Sequence, residues 1–293
     1  INTLIKTGNC DSCNLIGADL RMVHLRNAEL RGALLTGADL RNAELEMAGL
    51  VGADLIFARM EGADLFDADL SGATLRDVNL SGAELGTAEL QMANLTGAIL
   101  RDANLSSATL YGATLNDADL TGADLTDATL HFAQLNGANL SDATLYGVEL
   151  GRAELRMANL TGADLSTARL DMVDLTGADL TGADLTGADL GGAILSDATL
   201  TNADLSGADL SGANLFRAKL NDADLTGADL IFAELRDANL RDATLFRAKL
   251  NDADLTDADL SMAKWCDGIC ICGSNSIGLC DGCQSVEEVC TIK

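Results

Sequence analysis

Apolar residues recur along this chain every five positions, a spacing that matches neither regular secondary-structure period. Counting in fives from Leu15 to Leu260, one position holds Leu throughout except at Met60, and Trp265 takes the next turn of the count. Two residues before each of these, from Ala18 to Ala263, sits Ala in every unit except Val23, Val78, Val148 and Val173. On an α-helix, residues five apart are displaced by about 140° at roughly 100° per residue, so the leucines would scatter around the axis. On a straight strand they would point to opposite faces, because the side-chain period is two. Ala and Leu, two apart, share one side of an extended segment. The pattern therefore predicts short extended pieces that turn a corner every five residues and reset the inward direction each time. Gly, Asp, Asn, Ser and Thr crowd the two positions after each Leu, and these types tolerate turns. Pro is absent, so every residue keeps the amide donor that coil-to-coil bonding needs. Self-similarity at a fixed period is the signature of a repeat architecture.

The unit A-[D/N]-L-[S/T]-G, repeated without change in TGADLTGADLTGADL at residues 176–190, resembles the pentapeptide-repeat proteins, and the match covers residues 15–265 without a break. The resemblance implies an all-β fold, a right-handed quadrilateral β-helix (a solenoid) with four repeats per coil. The period alone does not choose four sides over three. The central side chains, among them Leu15, Leu20, Leu125, Leu185, Leu260 and Trp265, would fill the interior in ladders with the Ala before them. At about 4.8 Å per coil, about 12 coils make a rod of roughly 60 Å. Residues 1–14 and 266–293 would then cap the two ends, with short helical caps possible, around one elongated domain at 15–265. A short helix is expected at 285–290, where Ser285 and Glu288 have capping-box spacing.

Composition adds charge and two cysteine clusters. The net charge is −26, and residues 15–265 hold 40 of the 45 acids and 17 of the 19 bases. The acids concentrate just before each central Leu, as in Asp39, Glu44, Asp124, Asp184, Asp189 and Asp209, and read as a solvated surface wrapped around the rod. Such a surface excludes nucleic acid and anionic membrane as partners. No apolar run reaches the ~18 residues of a membrane span. The chain opens on Ile1 with no signal-like segment, which suggests a removed presequence or an internal start.

Cys10 and Cys13 sit at the front, and Cys266, Cys270, Cys272, Cys280, Cys283 and Cys290 crowd the last 28 residues. Both clusters are even and both fall where a β-helix exposes an open end, so disulfide-stapled caps are expected. Their connectivity is open, since six cysteines allow fifteen pairings. The alternative is metal: Cys-x-x-Cys occurs at 10/13 and 280/283, and four of the cysteines could hold a tetrahedral Zn²⁺. Redox activity is a weaker alternative, since neither pair opens a helix in a βαβ setting. The stretch from Leu4 to Leu20 also resembles extracytoplasmic pentapeptide-repeat proteins common in cyanobacteria. That resemblance implies a cysteine bracket at the cap and a location in periplasm, thylakoid lumen or outside the cell.

Catalytic chemistry is not visible. His24 and His131 lie more than five coils apart in this scheme and read as exposed spectators. Nucleophile-elbow, phosphate-loop and zinc-protease motifs are absent. Aspartates at twenty-residue spacing, Asp164, Asp184, Asp204 and Asp224, would stack about 4.8 Å apart, raising some pKa values or collecting Ca²⁺ weakly. A regular convex wall offers no cleft for an acid/base pair. Large residues at the corners, Phe57, Phe66, Tyr111, Phe132, Tyr146, Phe216, Phe232 and Phe246, fall on different sides when folded at twenty per coil. The segment LFRAKLNDADLT occurs at 215–226 and 245–256, thirty residues apart and so on opposite sides, which favours duplication of a structural unit.

The reading is a non-enzymatic structural or interaction scaffold, an acidic rod with no cofactor, an unknown protein partner and, with both ends capped, a monomeric state. The alternative is a DNA mimic that binds gyrase, as some pentapeptide-repeat proteins do. Ice or mineral binding through Thr/Ser ladders such as Thr121, Ser141, Thr161, Thr181 and Thr201 is a third reading, weakened by the flanking acids.

Overall fold

A computed structural model describes Leu4, residues 7–265 and residues 270–271. It divides into two compact units, Ile1–Glu154 and Leu155–Lys293. Both are built from the same parts. Within each, the residue before a central Leu forms a parallel bridge to the residue twenty positions later. Asp19↔Asp39 and Asp39↔Arg59 are examples in the first unit, Asp164↔Asp184 and Asp184↔Asp204 in the second. Bridges that recur every five residues, each to the position twenty later, define a four-sided coil with one bridge per side. Two of the five residues are used in the corner, so each side is one bridged residue rather than a strand of several. The two named strands, β1 (Lys264–Trp265) and β2 (Cys270–Ile271), pair antiparallel after the last repeats.

The repeat sequence follows from where its five N–H groups go. In Ala178-Asp179-Leu180-Thr181-Gly182, the Ala178 N–H closes the preceding corner on the Leu175 carbonyl at 3.0 Å. Asp179 N–H donates to the coil before, at Ala158 O (2.9 Å), while Leu180 N–H and Gly182 N–H donate to the coil after, at Thr199 O (2.7 Å) and Thr201 O (2.9 Å). That leaves Thr181 N–H, which points to no carbonyl and is taken by the Asp179 carboxylate, Oδ1, at 3.0 Å. A buried amide without an acceptor is costly, and here none of the five lacks one. Asp or Asn before Leu is thus an Asx cap on the corner. The Ser or Thr after Leu adds its hydroxyl to the same oxygen, as Thr226 does on Asp224 at 2.5 Å. Glu and Gln do not make this short cap. After Glu29 and Gln134, the corner N–H groups of Arg31 and Asn136 turn instead to Asp11 Oδ1 (3.0 Å) and Asn116 Oδ1 (2.9 Å) of the coil before.

The second corner residue is left-handed in every unit from Ser12 to Met262, with φ between 53° and 70°. One positive φ at this place, with the next N–H bonded back to Leu O, is a type II turn. Gly fits it without strain. Phe57, Phe132, Phe232 and six methionines occupy it too, at a cost of about 1–2 kcal/mol each that the ladder must offset.

The interior contains only the Ala and Leu positions. Leu15 and Leu20 are buried, and Leu125 and Leu185 are fully so. Leu260 is half-buried, as are Leu250 and Leu255, all in the last repeats of the run. Trp265 lies in β1 and Cys270 in β2. The helix expected at 285–290 lies outside the described residues, as do Cys266, Cys272, Cys280, Cys283 and Cys290.

Leu185→Asp should prevent the second unit from folding, since it places a charge in a dry interior. Asp224→Asn keeps the capping oxygen and should leave the melting temperature unchanged. Asp224→Ala should cost about 1 kcal/mol, the worth of one lost hydrogen bond. Equal melting temperatures for the Asn and Ala variants would refute the capping role.

Candidate functional site

Four features stand apart from the repeating wall. The first is the Cys10–Cys13 disulfide, whose Cα atoms are 5.2 Å apart. Counted backward in fives, Cys10 takes a central Leu position and Cys13 the following Ala position. The Cys13 N–H donates to Cys10 O at 3.1 Å, the corner bond of every other unit. The bracket therefore staples an ordinary corner. Its two sulfurs are bonded to each other. Among the described residues no group of three or more His, Cys, Asp or Glu is placed to hold a metal. No helix there is long and apolar enough to cross a membrane.

The second feature is an ion-pair network on the early coils of the first unit. Arg21 pairs with Asp19 (2.6 Å) and reaches Asp39 (3.8 Å). Arg41 (2.6 Å) and Arg59 (3.6 Å) also reach Asp39, whose side chain is 19% exposed. Arg59 continues to Glu61 at 4.0 Å, and Asn79 donates to Glu61 at 3.0 Å. Hydrogen bonds from Arg21 lower Asp19 to about 2. Asp39 is also held below the ordinary carboxylate range, first by Arg41 and with help from Arg59.

The third is acidic. In the second unit Asp164, Asp184, Asp204 and Asp224 bridge in one continuous column, and Asp189, Asp209 and Asp229 in the next one along the chain. No Lys or Arg occurs between Arg169 and Arg217. The acid is therefore gathered on particular sides of this unit rather than wrapped evenly around it. Stacking was expected to raise carboxylate pKa values, yet every displaced carboxylate among the described residues moves down. At Asp174 burial pushes upward, but the Thr176 hydroxyl and N–H and the Arg156 guanidinium outweigh it. At Asp229 the Lys249 ammonium dominates.

The fourth is an aromatic corner in the first unit. Tyr111 and Phe132 meet edge to face, 5.5 Å between ring centres, and the Arg152 guanidinium lies 6.0 Å from the Phe132 ring. Met92 covers Gly112, its Sδ 2.7 Å from where a Cβ would stand. Met92, Tyr111 and Phe132 are all exposed. Beside them His131 is half-buried: Nε2 faces Glu149 Oε2 at 3.1 Å and Nδ1 faces Gly151 O at 3.3 Å. It is not the exposed spectator the sequence suggests. His24 is strongly exposed and meets Glu44 at 2.7 Å, well removed from this cluster. Tyr111 and Phe132 are 21 residues apart, the first corner position of one coil and the second of the next. Tallies at a spacing of twenty therefore miss their contact. Elsewhere Phe66, Met157 and Met172 each cover a glycine of the next coil, at Gly86, Gly177 and Gly192.

A family model described as pentapeptide repeats matches the chain in eight copies, at residues 9–46, 43–82, 88–127, 103–142, 123–162, 158–197, 193–230 and 223–261. Among solved structures, HetL, a pentapeptide repeat protein involved in heterocyst differentiation regulation in the cyanobacterium Nostoc sp. strain PCC 7120, is 37% identical. That match covers 80% of this chain and 91% of HetL, with a TM-score of 0.32. A pentapeptide repeat protein from the Arabidopsis thaliana thylakoid lumen is 31% identical over 37% of this chain and 66% of its own, at a TM-score of 0.26. QnrB1, a plasmid-mediated fluoroquinolone resistance protein, is 21% identical over 59% of this chain and 90% of its own, at a TM-score of 0.31. The comparison with curated proteins returned no match.

The network predicts a pH response. Asp19 binds its proton more weakly folded, at about 2, than in the unfolded chain, near 3.8. Its contribution is therefore present above the unfolded value and is lost as pH falls through the folded one. Arg21→Gln should return the Asp19 carboxyl, followed by NMR titration, toward its ordinary value and move acid unfolding of the first unit to higher pH. An unchanged Asp19 titration in that variant would refute the pairing.

Proposed function

This chain belongs to the pentapeptide-repeat family, and we propose that it is a non-enzymatic scaffold that works by presenting its surface to a protein partner. The observation that carries the reading is the division of the five positions. Ala and Leu form the interior, the Asx residue caps the corner, and the second corner residue makes the left-handed turn. Chemical variety is left to outward side chains distributed along the sides. Proteins of this family are generally structural or interaction proteins, and solved members fold as right-handed quadrilateral β-helices. The carboxylates displaced here are held ionised by Arg, Lys and Thr donors, which suits a binding surface better than proton transfer.

We place the protein outside the reducing cytosol, as a monomer. The Cys10–Cys13 disulfide supports the location, because such bonds persist in oxidising compartments. A second reading, a DNA mimic acting on gyrase, is favoured by one observation: the unbroken column Asp164, Asp184, Asp204 and Asp224 in a stretch poor in bases. It requires the cytosol and so competes with the disulfide.

The purified full chain should retain one protein at fixed stoichiometry from an extract of its source and turn over no substrate. A substrate-dependent reaction abolished by a single outward substitution would overturn the scaffold reading. Intact mass with thiol labelling, before and after reduction, should show four disulfides among the eight cysteines and no bound metal. Free thiols or stoichiometric zinc would overturn the location, and a gyrase supercoiling assay would then decide for or against the mimic.

A further inference from the structure

In a chain with 45 acids, one edge of the Ile1–Glu154 unit carries none over seven successive coils. Its corner pairs run from Arg31-Gly32 to Gly151-Arg152, linked coil to coil by the same bond, such as Met92 N–H to Tyr111 O at 2.9 Å and Gly112 N–H to His131 O at 2.9 Å. The other three edges of the unit each include Asp or Glu on those coils. The aromatic corner lies on this edge; the bridged positions flanking its two rings, Thr109, Thr129, Thr114 and Gln134, are uncharged, while those flanking Arg152 are Glu149, which faces His131, and Glu154. Uncharged flanks around an exposed Tyr and Phe, with an Arg beside them, match the composition of an interface centre.

Arg152 supplies the sign. Its guanidinium rests against Phe132, and no carboxylate pairs with it among the described residues. On the other three edges of the unit an incoming carboxylate meets Asp or Glu at the corners themselves. Here the corners carry no acid, and a cation with no carboxylate partner among the described residues stands beside two exposed rings. We propose that this corner docks a protein segment that sets an aromatic or large apolar side chain on Tyr111 and Phe132 and a carboxylate on Arg152. The acidic remainder of the surface then acts against wrong registers, since sliding the segment brings its carboxylate onto like charge. The inference rests on the scaffold reading and names the chemistry of the partner.

The test uses the full chain and two small probes, N-acetyl-L-phenylalanine and its uncharged amide, followed by NMR. The acid should shift the resonances of Tyr111, Phe132 and Arg152 saturably, and the amide should bind about two- to five-fold more weakly, the worth of an exposed ion pair. Arg152→Gln should erase the difference, and Tyr111→Ala or Phe132→Ala should weaken both probes. Arg152→Gln leaves both rings in place, so it stays interpretable if a ring variant fails to fold. No shift at this corner, or equal binding of acid and amide to the wild-type chain, would overturn the proposal. A partner retained equally by wild type and by Tyr111→Ala would also overturn the docking corner while leaving the scaffold reading standing. A wild-type chain that retains no partner would instead sink the scaffold reading.

Discussion

The structure depends on one requirement: each amide removed from water by the stacking of coils must find an acceptor. In a long strand or a helix the backbone meets that requirement by itself. A side with a single bridged residue cannot, because the first corner N–H faces no carbonyl. The Asx residue before Leu closes the gap, and the left-handed residue after the corner turns the next N–H back onto the ladder. Asp or Asn, then Ser or Thr, then a residue tolerant of positive φ, are thus one solution to one bonding problem. The hydrophobic interior is narrow enough for Ala and Leu because the corners come so close together.

The same geometry explains why surface features arise in columns. A side chain at any outward position has its neighbours twenty residues away on either side, so chemistry accumulates along a column or fails to. Asp39 draws three arginines because Arg59 is its bridge partner in the next coil, while Arg41 and Arg21 stand at the adjoining corner of its own coil and the one before. Four aspartates of the second unit stack because the stretch holding them repeats with little change. Tyr111, Phe132 and Arg152 assemble from three successive coils along one edge.

Much of this was legible beforehand, and the limits have physical causes. The interior could be read because Ala and Leu recur at fixed spacing from Ala18 to Leu260, so local noise averages out. The capping role of Asp179 or Asp224 was hidden by counting charge, which treats Asp and Glu alike. A signal existed in the excess of Asp and Asn over Glu before Leu, followed by Ser or Thr. The place of Cys10 and Cys13 was available by extending the register backward by five. The aromatic corner was not accessible to a column count, because its contact joins two different corner positions. The half-burial of Leu260, in the last repeats, is a difference that periodicity does not mark, since the Leu recurs there unchanged.

One property of the Asx caps bears on how the protein ages. Asn79, Asn94, Asn104 and Asn159 hold the corner N–H groups of Ser81, Thr96, Ser106 and Thr161 through Oδ1. Spontaneous loss of ammonia from such an asparagine, when it yields ordinary aspartate, replaces one acceptor oxygen with another in the same place. At Asn94 the damage is then a unit of negative charge on a wall already rich in it, whereas at Asn79 and Asn104 it also replaces a donor to Glu61 and Glu84 with a like charge. Rearrangement to isoaspartate is different, for it moves the main chain through an extra methylene and pulls every later residue off the ladder. The corner cap is therefore indifferent to one product of asparagine decay and intolerant of the other.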